Sequence, residues 1–140
     1  MPRSMTPPFS HPVRVYWEDT DAGGVVFYAN YLKFFERART EWLRSLGLQQ
    51  STLQAEAGVI FVVAEVHVRY VASARLDDLV VVSARVTECG HASMRIAQQA
   101  WRGETLLAEG WVRVGCIDVT TMRPRRIPKW VLEALESTPG

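Results

Sequence analysis

Apolar and polar residues alternate near the start of the chain, with Val13, Val15 and Trp17 separated by Arg14, Tyr16 and Glu18. A period of two predicts a first strand with one face buried. Asp19-Thr20-Asp21-Ala22-Gly23-Gly24 interrupts it. That density of acidic and glycine residues predicts a loop with unusual backbone angles. Over residues 29–46 the period lengthens. Tyr31, Phe34, Phe35, Ala38, Trp42 and Leu46 recur every three or four residues, while Lys33, Arg37, Glu41 and Arg44 take the other side. This predicts an amphipathic helix, with Asn30 placed to cap its start and Gly47 to stop it. So aromatic a helix calls for a sheet wrapped around it.

Residues 49–57 are polar and predict one or two further helical turns. Residues 59–71, 79–87, 93–101 and 105–117 then read as four strands, the last two joined by a turn at Arg102-Gly103-Glu104. A basic, proline-punctuated segment follows, and a short helix over 129–135 ends the pattern. Strand, long helix, then a run of strands implies an α+β domain with a five- to six-stranded, largely antiparallel sheet around one helix. Such a sheet leaves edges to cover, which favours homo-oligomers.

Length changes little in this picture: 140 residues suit one domain. We read 1–12 as a flexible leader, because Pro2, Pro7, Pro8 and Pro12 punctuate it, and 13–140 as a single domain. The net charge of +1 excludes a general nucleic-acid binder. No apolar run is long enough to span a membrane, and the leader does not resemble a signal peptide. Cys89 and Cys116 lie in apolar-alternating runs without a C-x-x-C pair, as small buried strand residues do in a reducing compartment. The expected location is the cytoplasm.

Two segments carry candidate chemistry. A carboxylate at Asp21, ahead of Gly23-Gly24 and a helix start, can attack or activate water. Backbone N–H groups at the helix start can meanwhile stabilise an oxyanion. The glycines let the main chain approach a ligand closely. The same residues also suit a plain Asp-Gly turn with helix capping. A metal held by Asp19 and Asp21 is disfavoured, because the further spaced acids of a calcium loop are missing. No G-x-S-x-G, H-E-x-x-H or Walker loop occurs. His11, His67 and His91 read as leader, strand-face and turn residues, and Glu36 is the reserve base. The second segment runs from Met122 to Lys129. Arg123, Arg125, Arg126 and Lys129, held extended by Pro124 and Pro128, suit either a phosphate grip or a solvated basic tail.

Residues 13–32, with the run Trp17-Glu-Asp-Thr-Asp-Ala-Gly-Gly-Val-Val-Phe-Tyr28, continue into Phe35-Glu-Arg-Ala-Arg-Thr-Glu41. Together they resemble the 4-hydroxybenzoyl-CoA thioesterase family, nearest its bacterial subgroup associated with the Tol–Pal envelope system. The likeness extends through Ala74-Arg-Leu-Asp-Asp78, Cys116-Ile-Asp118 and Met122-Arg-Pro-Arg125. It implies a hotdog fold, a homodimer or homotetramer, and hydrolysis of acyl-CoA without any cofactor or metal, CoA being part of the substrate. An acyl group on a carrier protein is a further substrate to consider.

By the same resemblance Asp21 is the catalytic acid, the Tyr28 N–H the oxyanion donor, and Gly23 and Gly24 shape the loop. Arg123, Arg125 and Arg126 are the counterparts of CoA-phosphate ligands. Two positions depart from the subgroup. Tyr28 stands where histidine is frequent, and Ser73 where proline is. The alternatives are a non-catalytic acyl-CoA or acyl-carrier binding module serving envelope assembly, and a hotdog dehydratase. The dehydratase needs a helix histidine that this helix lacks.

Overall fold

The computed structural model describes residues 9–136. Strand β1 (Phe9–Arg14) leads through a 3-10 turn (Trp17–Asp19) and a loop into helix α1 (Asn30–Ser45) and helix α2 (Gln50–Ala57). Strands β2 (Val59–Tyr70), β3 (Leu79–Cys89), β4 (Ser93–Arg102) and β5 (Thr105–Asp118) follow, then helix α3 (Lys129–Glu136). The five strands form one antiparallel sheet in the order β1-β3-β4-β5-β2.

Helix α1 buries Tyr31, Phe34, Phe35, Ala38, Trp42 and Leu43 against one face of the sheet. Burying each large apolar side chain stabilises the fold by roughly 1.5–3 kcal/mol. The core divides in two along the helix. Around its first half, Phe34 and Phe35 pack with Val13, Val80, Val82 and Leu107. Around its second, Trp42 and Leu43 pack with Phe61, Ile96, Val114 and, from α3, Val131 and Leu135. Between the halves sits a polar pair. Arg39 Nη1 donates to Gln98 Oε1 at 2.9 Å, and Gln98, only 2% exposed, donates to the Phe35 carbonyl at 3.0 Å.

Four sequence expectations change. The first strand begins at Phe9, so residues 9–12 are not a leader; residues 1–8 and 137–140 lie outside the described residues. Pro12 is accepted because β1 is an edge strand, where the missing N–H breaks no ladder. Consequently His11 is a strand residue paired with Val82. Trp17 has left the strand and is 74% exposed, whereas Val13 and Val15 are buried as the alternation requires. Asn30 does not cap α1, since Ala29 already has helical angles; its side chain reaches back to the Asp19 carbonyl at 2.8 Å. Cys89 is exposed, because a register shift between Val86 and Glu88 disturbs the alternation before it, while Cys116 is buried as expected.

Among the described residues, both sheet edges, β1 and β2, lack a strand partner on one side. Along β2, Val63, Val66 and Tyr70 are exposed, and Val71 just beyond it also faces solvent. At Phe61 the edge is closed differently. The Gln50 amide donates to the Phe61 carbonyl at 3.0 Å and accepts from its N–H at 3.2 Å, as a neighbouring strand would.

Candidate active site

The loop between β1 and α1 is held by main-chain bonds and two side chains. Asp19, only 4% exposed, accepts the Tyr16 N–H on its carboxylate at 2.9 Å, which closes the 3-10 turn. Its carbonyl accepts the Phe27 N–H at 3.1 Å and the Asn30 amide at 2.8 Å. The first acid of the D-x-D pair therefore anchors the loop, and among the described residues no cluster of three or more metal-ligating groups forms. The Asp21 N–H donates to the Val25 carbonyl, and the Val26 N–H to the Ala74 carbonyl, joining the loop to the connection between β2 and β3.

Asp21 stands exposed at the loop's tip. Its Oδ1 accepts the Gly23 N–H at 2.8 Å, and its carbonyl accepts the Gly24 N–H at 3.0 Å. These bonds turn the chain sharply, which requires the left-handed angles of Gly24 at φ 78°. A Cβ on Gly23 would lie 3.3 Å from Asp21 Oδ1, so the bare glycine leaves the carboxylate unobstructed on that side.

Beyond the turn the chain enters α1. The N–H groups of Asn30, Tyr31 and Leu32 bond to carbonyls three residues back. Among the described residues, no acceptor pairs with the N–H of Tyr28 or of Ala29. Free amides at a helix start carry the positive end of its dipole and suit a developing anion. The Tyr28 ring, 62% exposed, meets Phe27 at 4.7 Å and Tyr70 at 5.8 Å between centroids, and Tyr70 also touches Tyr31. An aromatic wall thus stands beside the free amide. Sequence reasoning did not single out Tyr70, whose place in an alternating strand gives no hint that it meets the helix start.

Asp21, Gly23 and Gly24 share one turn, and Tyr28 follows four residues later at the helix start; the basic run does not join them. The Arg123 carbonyl bonds the Asp118 N–H and the Arg125 N–H bonds the Cys116 carbonyl, at the far end of β5. The loop of Asp21 lies near the other end, where Val71 and Ala72 bond Leu107. Ten residues of strand separate these ends, roughly 30 Å. Arg125 is tied inward, donating to the Ala57 carbonyl at 2.9 Å and facing Asp118 at 3.3 Å. Arg126 faces His91 Nδ1 at 3.0 Å, and Arg123 is exposed. His67 stacks on Trp111 and faces Glu65 on the outer sheet face. Glu36 is exposed on α1, two turns beyond Tyr28.

Three expectations follow from these bonds. Asp19→Ala removes the acceptor that closes the 3-10 turn and should cost about 1–2 kcal/mol in urea unfolding. Arg125→Ala should lower Tm while Arg123→Ala leaves it unchanged, since only Arg125 bonds the end of α2. Asp118 belongs to the same lock. The N–H groups of Thr121 and Thr120, helped by Arg125, hold its carboxyl below the ordinary 3.8. A depressed folded-state value stabilises the fold above 3.8, and that contribution fades as pH falls through the lower value. Comparison of Tm against pH for the wild type and Asp118→Asn should therefore converge only in that acid range.

A helix buried against an antiparallel sheet, with an acidic turn ahead of it, agrees with a hotdog fold. The chain belongs to the thioesterase-like superfamily, whose family pattern matches residues 15–135. Among curated relatives, the Haemophilus influenzae protein named "Acyl-CoA thioesterase YbgC" is 48% identical over 126 residues, 90% of this chain and 93% of the relative. Among solved structures, the "Probable Thioesterase" of Bartonella henselae superposes with a TM-score of 0.83 at 32% identity, covering 87% of this chain and all of that one. A gentisyl-coenzyme A thioesterase superposes with a TM-score of 0.81 at 25% identity, covering 90% and 98%.

Proposed function

We propose that the protein hydrolyses acyl-CoA thioesters, with Asp21 as the catalytic carboxylate and the Tyr28 N–H as oxyanion donor. The turn at Asp21-Gly24 carries this reading. It holds an exposed carboxylate by the Gly23 N–H, ahead of a helix start where, among the described residues, the N–H groups of Tyr28 and Ala29 have no acceptor. The relatives named above are thioesterases, which adds support. Asp21 either attacks the thioester carbonyl, displacing the CoA thiolate to leave a mixed anhydride for water to open, or takes a proton from the attacking water. In both routes the carbonyl oxygen gains negative charge, which the Tyr28 N–H meets.

The active unit in this proposal is a homodimer or a homotetramer. The exposed β2 edge and the aromatic wall at Phe27, Tyr28 and Tyr70 supply apolar surface for a second copy to cover. Arg123 and Arg126 of a second copy are the candidate ligands of the CoA phosphates in this proposal. A CoA substrate sets the reaction in the cytoplasm. The test is thiol release from short, long and aromatic acyl-CoAs and from an acyl carrier protein, with Asp21→Asn alongside the wild type. Saturable binding without thiol release in the wild type would instead favour the binding-module reading.

A further inference from the structure

Tyr31 sits in the first turn of α1 with only 2% of its surface exposed, in the core half that it shares with Phe34 and Phe35. Those two neighbours are plain hydrocarbon, and a phenylalanine would fill the same space at Tyr31. Its hydroxyl therefore needs an explanation. The oxygen accepts the Ala74 N–H at 3.0 Å, and among the described residues that N–H has no other acceptor. Ala74 is itself fully buried, in the connection between β2 and β3. A buried amide left unpaired is costly, which by itself gives the bond a structural use.

The place of that bond in the pattern around the loop gives it a second use. The Ala74 carbonyl accepts the Val26 N–H at 2.8 Å, and Val25 forms an antiparallel bridge with Arg75. The Val25 carbonyl in turn accepts the Asp21 N–H at 2.9 Å. The turn of Asp21 is thus laid against residues 74–75. At its main chain, the Tyr31 N–H donates to the Tyr28 carbonyl at 3.3 Å. One residue consequently joins the helix start, where the Tyr28 amide is free, to the segment that carries the acid. Arg102 ties that segment to β4, through the Ser73 carbonyl at 2.9 Å. Burial raises the Tyr31 hydroxyl above its ordinary 10.0, with the Ala74 bond working the other way, so at neutral pH its oxygen is a neutral acceptor and not a base.

We propose that Tyr31 is a positioning residue, whose hydroxyl, through Ala74, fixes the Asp21 turn relative to the Tyr28 amide. The inference rests on the reaction proposed above, in which those two groups act on one thioester carbonyl. Acid and oxyanion donor sit on separate pieces of chain. The donor moves with α1, and the acid moves with the loop laid on residues 74–75. Without the hydroxyl the Ala74 segment loses this tie to α1, and the two pieces shift independently. A displacement of about 1 Å at reacting groups lowers a rate by as much as about 10²-fold. Stability falls as well when a buried bond is lost, so the role is identified by turnover measured separately from folding.

The test is Tyr31→Phe, which removes one oxygen and keeps the ring, assayed by thiol release alone and combined with Asp21→Asn. Alone it should lower kcat by about 10- to 10²-fold, with KM within about twofold of wild type. In the Asp21→Asn background it should change the residual turnover by less than about twofold, because the acid it positions is gone. Exchange of the Val26 N–H, followed by NMR, should speed up at least about tenfold in both backgrounds. Ile96→Val, in the other half of the core, lowers stability without touching the loop and should keep wild-type kcat. Wild-type kcat in Tyr31→Phe overturns the proposal and leaves the hydroxyl a stability bond. An equal loss of turnover in both backgrounds, or in Ile96→Val, overturns it too. In the wild type the Ala74 N–H should exchange as slowly as the sheet amides; rapid exchange overturns the proposal even if Tyr31→Phe fails to fold. Wild-type turnover in Asp21→Asn overturns the catalytic reading and this inference with it. A wild-type kcat in Tyr31→Phe beside a lowered one in Asp21→Asn overturns the positioning role alone.

Discussion

Replacing Asp21 with asparagine is expected to lower kcat for acyl-CoA hydrolysis by about 10²–10⁴-fold, the span that a positioned acid or base contributes, with KM near its wild-type value. Asparagine keeps the oxygen that accepts the Gly23 N–H, so the turn survives and only the charge is removed. Because Asp21 is exposed, stability should stay within about 0.5 kcal/mol of wild type. A fall in activity would thus report chemistry rather than unfolding. Steady-state thiol release and urea unfolding on the same preparations check both halves. Wild-type turnover in the variant would remove Asp21 from its role. The route is read from a single turnover in ¹⁸O-water. Label in the Asp21 carboxylate marks a covalent anhydride opened at the aspartyl carbon, and label confined to the released acid marks attack by water at the acyl carbon.

Much of this site was legible because its logic is local. Asp21, Gly23, Gly24 and the helix start lie within ten residues, and turn chemistry plus helix periodicity suffices to place them. The aromatic period of α1 likewise dictated a helix sheathed by sheet. What escaped depends on pairing between distant segments. Pro12 reads as a breaker until β1 is known to be an edge strand. Tyr70 reads as one more strand residue until the sheet carries it to Tyr28. Arg39 reads as a solvated helix cation until Gln98, 59 residues later, is found beneath it. The basic run reads as a unit, yet the fold divides it: Arg125 is turned to the end of α2, and Arg123 and Arg126 remain outside. Local pattern fixes what a residue prefers. The sheet decides which residue it meets.

The same rule sets the largest stability effect expected in the chain, at a residue that no motif marks. Gly110 pairs with Val68 on β2 and with Gln98 on β4, near the middle of β5. A Cβ built there would stand 1.9 Å from the His67 carbonyl oxygen and 2.9 Å from the Val68 Cα. Both obstacles are backbone in a paired strand, so no side chain can rotate away; relief requires β2 and β5 to separate where the sheet curls around α1. Gly110→Ala should therefore cost at least about 3 kcal/mol, the upper end for an overpacked site, and yield little soluble protein. Gly115 lies five residues further along the same strand, and its nearest obstacle is the Ala92 carbonyl oxygen at 3.9 Å, an ordinary contact. Gly115→Ala should be neutral or stabilising by about 0.4–1 kcal/mol, because it narrows the unfolded ensemble without strain. Denaturant midpoints of the two variants decide the matter. Equal shifts would mean that the cost lies in losing strand glycines generally, and not in the close approach of β2 to Gly110.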